Sequence, residues 1–216
     1  LSLPSGVLVN TALYDHCPEV VDAFAKRGDE LIGHGHTNSD RQSELSEEQE
    51  RELLMYCRET IRSRSNVTPL GWLSPWISES RVTPDLLKET GYKYTLNWCH
   101  DDQPTEMETR AGKLWSIPYP QELNDIPMIV ARHMDGRDFA DMIVDNLDET
   151  LRQSKEQPLV MGIALHPYLV GQPYRLRHLR RALRHVVKAR SVWLTTPGRI
   201  HSAVESRADD SDRLRT

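Results

Sequence analysis

Short apolar runs alternate with amphipathic helical stretches along this chain, and that alternation constrains the fold more than any single residue does. Gly6-Val7-Leu8-Val9 and Glu30-Leu31-Ile32-Gly33-His34 read as interior strands, as do residues 69–75, 92–98, 115–119, 159–165 and 192–196. Residues 18–28 read as a helix, with Pro18 in its first turn, Val20, Val21, Phe24 and Ala25 as its apolar stripe, and Gly28 at its end. Ser46 and Gln49 form a capping box that opens a long helix carrying Leu53, Leu54, Cys57 and Ile61 inward. Residues 84–90, 137–154 and 174–189 complete the helical set. This order predicts an α/β fold with a parallel sheet and helices outside it, either a barrel or an open doubly wound sheet. The barrel is preferred because polar, chemically able residues follow strand ends at His34, Pro75-Trp76, Cys99 to Asp102 and His166. In a barrel such ends share one rim. One domain over residues 1–206 is expected, followed by a polar tail, 207–216, expected to lack order. The chain opens almost directly into a core strand, which is the pattern of a sequence with an earlier piece.

Composition narrows the function classes. A net charge of -5 gives no reason to expect nucleic acid or an anionic membrane surface as partner. No apolar run approaches the ~20 residues of a membrane span. The three cysteines, Cys17, Cys57 and Cys99, are scattered and odd in number, which is not a disulfide framework and fits a reducing, cytoplasmic setting. A small-molecule substrate is the expected partner, and a homo-oligomer is compatible with all of this. The series Arg175, Arg177, Arg180, Arg181 and Arg184 resembles a nucleic-acid face, but its leucines fall at helical spacing and no aromatic platform accompanies it. A solvated, salt-bridged outer face is the reading adopted.

Three constellations carry possible chemistry. Gly33-His34-Gly35-His36-Thr37-Asn38-Ser39-Asp40 releases a strand into a loop where imidazoles and a carboxylate could ligate a metal, or where Asx-type turns simply satisfy the backbone. Leu165-His166-Pro167-Tyr168 ends the most apolar run; a histidine there can exchange a proton near neutral pH, or serve as a core histidine bonded to backbone. Asn97-Trp98-Cys99-His100-Asp101-Asp102-Gln103-Pro104 places paired acids after a strand, able to orient a histidine or to form a solvated turn. Trp76 and Trp98 could wall a pocket or belong to the core. Cys99 as a nucleophile lacks a partner in the pattern.

In this order the segments resemble the polysaccharide deacetylase superfamily. Glu30-Leu31-Ile32-Gly33-His34-Gly35-His36-Thr37-Asn38 is similar to the family's second motif and Gly71-Trp72-Leu73-Ser74-Pro75-Trp76 to its third. Asp101-Asp102-Gln103-Pro104 and Ala164-Leu165-His166-Pro167 look like the fourth and fifth. Pro118-Tyr119-Pro120-Gln121-Glu122-Leu123-Asn124-Asp125 brings the chain nearest to the allantoinase-like and cyclic-imide-hydrolase-like branch. The resemblance implies a distorted (β/α)7 barrel, here without its first strand, that hydrolyses non-peptide C–N bonds. It implies a divalent metal such as zinc in the metal-dependent members, held by one Asp and two His. The aspartate-bearing first motif has no counterpart, Asn38 stands where the second metal histidine falls, and Leu73 stands where the third-motif arginine falls. With His34 and His36 as the remaining metal candidates, zinc is expected to bind weakly or not at all.

The resulting expectation is a hydrolase for a small amide, ureide or cyclic imide. His166, Asp101 and Asp102 are its catalytic candidates; Asn38, Pro75, Trp76 and Trp98 would contact substrate. The alternatives are a catalytically impaired binding module of the same fold and a polysaccharide N-deacetylase.

Overall fold

The structure is a computed structural model that describes residues 1–39 and 41–213, with side chains through residue 208. Asp40, one of the candidate metal ligands, lies outside the described residues. In chain order the elements are β1 (Gly6–Val9), α1 (Leu13–His16), α2 (Pro18–Arg27), β2 (Glu30–Gly33), α3 (Glu47–Ser65), β3 (Gly71–Trp72), α4 (Thr83–Glu89), β4 (Tyr94–Thr95), β5 (Thr105–Thr109) and β6 (Gly112–Ser116). A π-helical turn (Ile126–Ala131), α5 (Gly136–Gln153), α6 (Pro167–Val170), α7 (Pro173–Lys188) and α8 (Pro197–Arg213) follow. The expected alternation of strands and helices is present through β4.

The chain divides into two compact units. One, the sheet unit, comprises Pro4–Trp98, Pro104–Ile117 and the residues from Thr195 on. Its six strands are ordered β1-β2-β3-β4-β6-β5, parallel except for the β5–β6 pair. Val9, Tyr14, Val21, Leu31 and Ile61 form one buried cluster, and Leu54, Cys57, Trp72, Leu86, Leu87, Tyr92 and Leu114 another. The α3 capping box forms as its sequence dictates: Gln49 N–H donates to Ser46 Oγ and Ser46 N–H to Gln49 Oε1. Gly28 closes α2 at φ 80°, a conformation that L side chains disfavour.

Buried polar groups tie this unit together as firmly as its apolar clusters. Glu50 is fully buried on α3, and its carboxylate accepts from Gln42 Nε2, Ser80 Oγ and Thr83 Oγ1. Glu30 at the start of β2 accepts from Tyr94 Oη at 2.6 Å and from Gly198 N–H at 2.9 Å, so it also anchors the first turn of α8. The α8 helix runs to Arg213, through most of the stretch from 207 that the sequence reading leaves without order.

The helical unit comprises Leu1–Leu3, Cys99–Gln103 and Pro118–Leu194. Its core joins Leu123, Met128 and Ile129 to Phe139, Ala140, Ile143 and Leu147 of α5, Val170 of α6, and Leu179, Ala182 and Val186 of α7. Asp135 caps α5 by accepting from Arg137 N–H at 2.6 Å and Asp138 N–H at 3.0 Å. Along the outer face, Arg181 and His185 of α7 pair with Asp141 and Asp148 of α5.

Three strand expectations need correction. Residues 159–165 are extended and apolar yet join no ladder. Val160 N–H goes to Asp102 O, Ala164 N–H goes to Leu123 O, and one isolated parallel bridge links Asn124 and Ala164. Residues 192–196 are likewise outside any strand, although Val192 and Leu194 pack on the helical core. In both cases the apolar run reports burial, not pairing. The hairpin strand β5 was not expected, because its Thr-Glu-Met-Glu-Thr sequence offers only one apolar side chain; its partner β6 begins at Gly112, three residues before the expected strand at 115–119.

The closest backbone approach in the sheet is at Gly71. A Cβ built there would lie 2.1 Å from Tyr94 Cζ, inside a ring that is fully buried and tethered to Glu30. Gly71→Ala therefore overpacks a site that cannot yield, and we expect a loss of about 1–3 kcal/mol or more. Urea unfolding should show a lower midpoint with an unchanged slope; an unshifted midpoint would show that the Tyr94 ring is free to move.

Candidate active site

Within the helical unit, the irregular stretch from Pro118 leads to Asp125, whose side chain is fully buried. The Asn124–Ala164 bridge and the bond from Asp125 N–H to Ala164 O hold this stretch beside the segment that ends at His166. His166 then points both of its local donors at one carboxylate. Its backbone N–H donates to Asp125 Oδ2 at 2.7 Å, and its Nδ1–H donates to Oδ1 at 2.6 Å. Pro167, the first residue of α6, has no N–H of its own and stops the extended segment there.

This geometry fixes a tautomer. An ionised carboxylate can only accept, so Nδ1 carries hydrogen and Nε2 carries the lone pair of the neutral ring. The His166 side chain keeps 28% of its surface exposed, against 0% for Asp125, so the imidazole is anchored at Nδ1 and still partly open to solvent. Tyr168 meets it edge-on at 5.9 Å between ring centroids. Burial, helped by the Asp125 charge, raises the Tyr119 hydroxyl to about 12, so this neighbour stays protonated at neutral pH. Such a histidine can accept a proton at Nε2 and return it, with Asp125 stabilising the imidazolium between the two steps.

Asp101 and Asp102, expected to act beside His166, sit in the turn that follows the sheet unit's Trp98. Asp102 takes φ 56° and its backbone carbonyl receives Val160 N–H. Burial, then the charges of Asp101 and Glu122, raise its carboxyl above the ordinary range. The carboxylate that reaches His166 Nδ1 is Asp125's. In the sequence Asp125 stands out only as the last residue of the Pro118–Asp125 segment; its partner lies 41 residues away, and no periodic signal connects them.

In the sheet unit, the remaining candidates gather after β2. His34 is buried, and its Nδ1–H donates to Leu73 O at 2.7 Å, since a carbonyl can only accept. His36 Nδ1 meets Thr11 Oγ1 at 3.0 Å. Asn10 Nδ2 donates to Asn38 Oδ1 at 3.2 Å and to the His34 carbonyl, while Thr11 and Ala12 N–H reach the carbonyls of Gly35 and His36. The loop is thus bolted to the end of β1. Gly35 at φ 72° leaves room for buried Pro75, whose Cγ would lie 2.7 Å from an added Cβ.

Trp76 and Trp98 stand at this unit's surface, 64% and 47% exposed. Trp76 adopts φ 61°, a strained setting for a bulky residue, and its Nε1–H donates to Asn38 O at 2.7 Å. Arg41 lies 5.6 Å over its ring. Trp98 Nε1–H donates to Glu79 Oε1 at 3.0 Å, and buried Asn97 donates to Glu79 Oε2 at 2.6 Å. Burial raises the Glu79 carboxyl despite those two bonds. Glu79 had no signal in the sequence, yet it sets the position of Trp98.

No protein-family profile matches the chain. It is 24% identical over 210 residues to the peptidoglycan deacetylase of Helicobacter pylori, covering 82% of this chain and 69% of that protein. It is 26% identical over 203 residues to a Schizosaccharomyces pombe protein carrying a polysaccharide deacetylase name, and spans 63% of it. The crystal structure of Puue allantoinase superposes with a TM-score of 0.85 at 25% identity, over 93% of this chain and 67% of that one. The superfamily is that of the polysaccharide deacetylases. The α/β architecture described above is accordingly the polysaccharide deacetylase fold, whose (β/α)7 arrangement the sequence reading anticipates.

Metal-dependent polysaccharide deacetylases are built around a ligand set of one Asp and two His. Among the described residues here, no group of three His, Cys, Asp or Glu side chains is placed to hold a metal ion. His34 gives Nδ1–H to a carbonyl and His36 Nδ1 meets a hydroxyl, so Nε2 is the nitrogen of each that a metal could use, while Asn38 offers only an amide. Two imidazoles and an amide, with no third His, Cys, Asp or Glu beside them among the described residues, fall short of a zinc ligand set.

The His166 tautomer is testable. The two His166 donors meet the two different carboxylate oxygens of Asp125, and in Asp125→Asn only one of those positions is still an oxygen. The oxygen should keep the backbone N–H, and the NH2 should then donate to Nδ1, forcing hydrogen onto Nε2. Ring 15N shifts of His166 should report the Nδ1–H tautomer in the parent protein and the Nε2–H tautomer in the variant. The same tautomer in both would mean that Asp125 does not set it.

Proposed function

We propose that the protein hydrolyses a non-peptide C–N bond in a small amide, ureide or cyclic imide, with His166 as the proton-transfer group. The buried Asp125–His166 pair carries the reading. It is the arrangement by which an imidazole is oriented and its charged form stabilised for acid–base work. Superfamily membership supports hydrolysis of an amide-type bond, and the likeness to an allantoinase structure supports a compact ureide or imide.

In this reading water attacks the carbonyl carbon and gives a proton to Nε2 of His166. The imidazolium so formed is stabilised by Asp125. As the C–N bond breaks, Nε2 returns that proton to the leaving nitrogen, which departs as a neutral amine, amide or urea nitrogen. In the sheet unit Trp76 and Trp98 present half-exposed faces, and Trp76 Nε1–H donates to Asn38 O. Asp101 and Asp102 are kept as candidate contacts to substrate N–H groups.

A second reading is N-deacetylation of a sugar polymer, favoured by the name of the Helicobacter pylori relative. A hydrolysis screen on allantoin, dihydropyrimidines, succinimide-like imides and N-acetyl sugars separates the two. We expect turnover of a ring or ureide substrate, and His166→Ala should lower it by about 10²–10⁴-fold. Turnover of N-acetyl sugars alone would transfer the assignment to the second reading. Turnover that His166→Ala leaves intact would remove this histidine from the chemistry.

A further inference from the structure

The basic face of α7 is not uniform. Toward its C-terminal end Arg181 and His185 are neutralised by Asp141 and Asp148 of α5. At its N-terminal end the two helices begin side by side. A Cβ on Gly136 would lie 3.0 Å from Arg175 Cγ and 3.1 Å from its Cα. Between these starts opens a cavity of about 460 Å³ whose lining includes Arg137, Arg175, Arg177, His133, His178 and Tyr174. Its size is within the usual range for a small-molecule site.

The cavity lining carries more positive charge than its one carboxylate offsets. Among the described residues Asp135 is the one acid lining the cavity; it accepts from the Arg137 and Asp138 N–H groups of α5, and those bonds, then the nearby Arg137 and His178 charges, hold its carboxyl below the ordinary range, so it keeps its negative charge. Among the described residues, the ion pairs of this unit do not include Arg137, Arg175 or Arg177. Arg175 is held in place, with its guanidinium 5.0 Å above the Tyr174 ring and Nη1 donating to Leu169 O at 3.4 Å. Tyr174 is 61% exposed, so this stacked pair forms a flat, cationic wall. The N-cap residue of α7, Gln172, provides no side-chain cap, so the positive end of that helix dipole adds to the field. Three guanidinium groups against one ionised carboxylate leave a positive excess, in a chain of net charge -5, and mark a local cationic site.

We propose that this cavity binds a small molecule through a carboxylate or phosphate group, with Arg137 and Arg177 closing on the anion and Arg175 and Tyr174 forming the fixed wall. Guanidinium forks match both oxyanions, and bonds in which both partners are charged are the stronger class. The inference is independent of the reaction assigned to His166.

Isothermal titration of the protein at low ionic strength with inorganic phosphate, and separately with citrate, tests it. One saturable site is expected for at least one probe, and the stronger probe identifies the headgroup. The double variant Arg137→Gln/Arg177→Gln changes two exposed side chains and should weaken that site by about tenfold or more, since bonds in which both partners are charged are the stronger class. Its thermal melt should match that of the parent. Arg152→Gln, at the far end of α5, should leave binding within about twofold, as expected for a distant and screened charge. Absence of saturation by both probes would overturn the proposal. So would equal weakening by Arg152→Gln, which would mark diffuse attraction, or binding only of a long polyanion such as heparin.

Discussion

A carboxylate removed from water must be answered by donors, and Asp125 is answered by one residue twice. An unpaired ionised group in this position would cost several kcal/mol, so the Pro118–Asp125 stretch and the segment ending at His166 must come together for the helical unit to close. The same requirement orients the imidazole. The bonds that make Asp125 tolerable inside the protein are therefore those that place the hydrogen on Nδ1 and leave Nε2 as the basic edge of His166. The sheet unit follows similar logic at Glu50 and Glu30, whose donors come from segments far apart in sequence.

Local signals were legible and long-range ones were not. The capping box of α3, Pro18 and Gly28 at the ends of α2, and the apolar stripes of the helices act within a turn or two, so the sequence displays them directly. His34 and His166 were legible because each ends an apolar run and adjoins glycine or proline. Asp125 and Glu79 were not. Each carboxylate acquires its role from a partner that the fold brings to it, and nothing in the spacing marks either one. The run at 159–165 shows a different limit. Its side chains are as apolar as a strand's, but its N–H groups find scattered carbonyls, and apolarity carries no information about hydrogen-bond partners.

Charge along α5 and α7 is arranged by position and not by composition. Both helices are rich in ionisable residues, yet acids and bases pair only along part of their length, where the alternation of α5 acids with α7 bases matches helical spacing. At the helix starts a single carboxylate, Asp135, faces three arginines, so positive charge is in excess. A reading of α7 as a uniform solvated face captures the paired part and misses this difference, because the partner residues belong to another element.

The coupling of Asp125 to His166 is the claim on which the functional account stands, and a double-mutant cycle on hydrolysis measures it directly. With a substrate in hand, kcat/KM is determined for the parent protein, His166→Ala, Asp125→Ala and the double variant. If the two residues act as a unit, the double variant should fall within about 0.5 kcal/mol of His166→Ala, because Asp125 has nothing left to orient. Losses that simply add would mean that Asp125 serves the structure alone and that His166 works, if it works, without it.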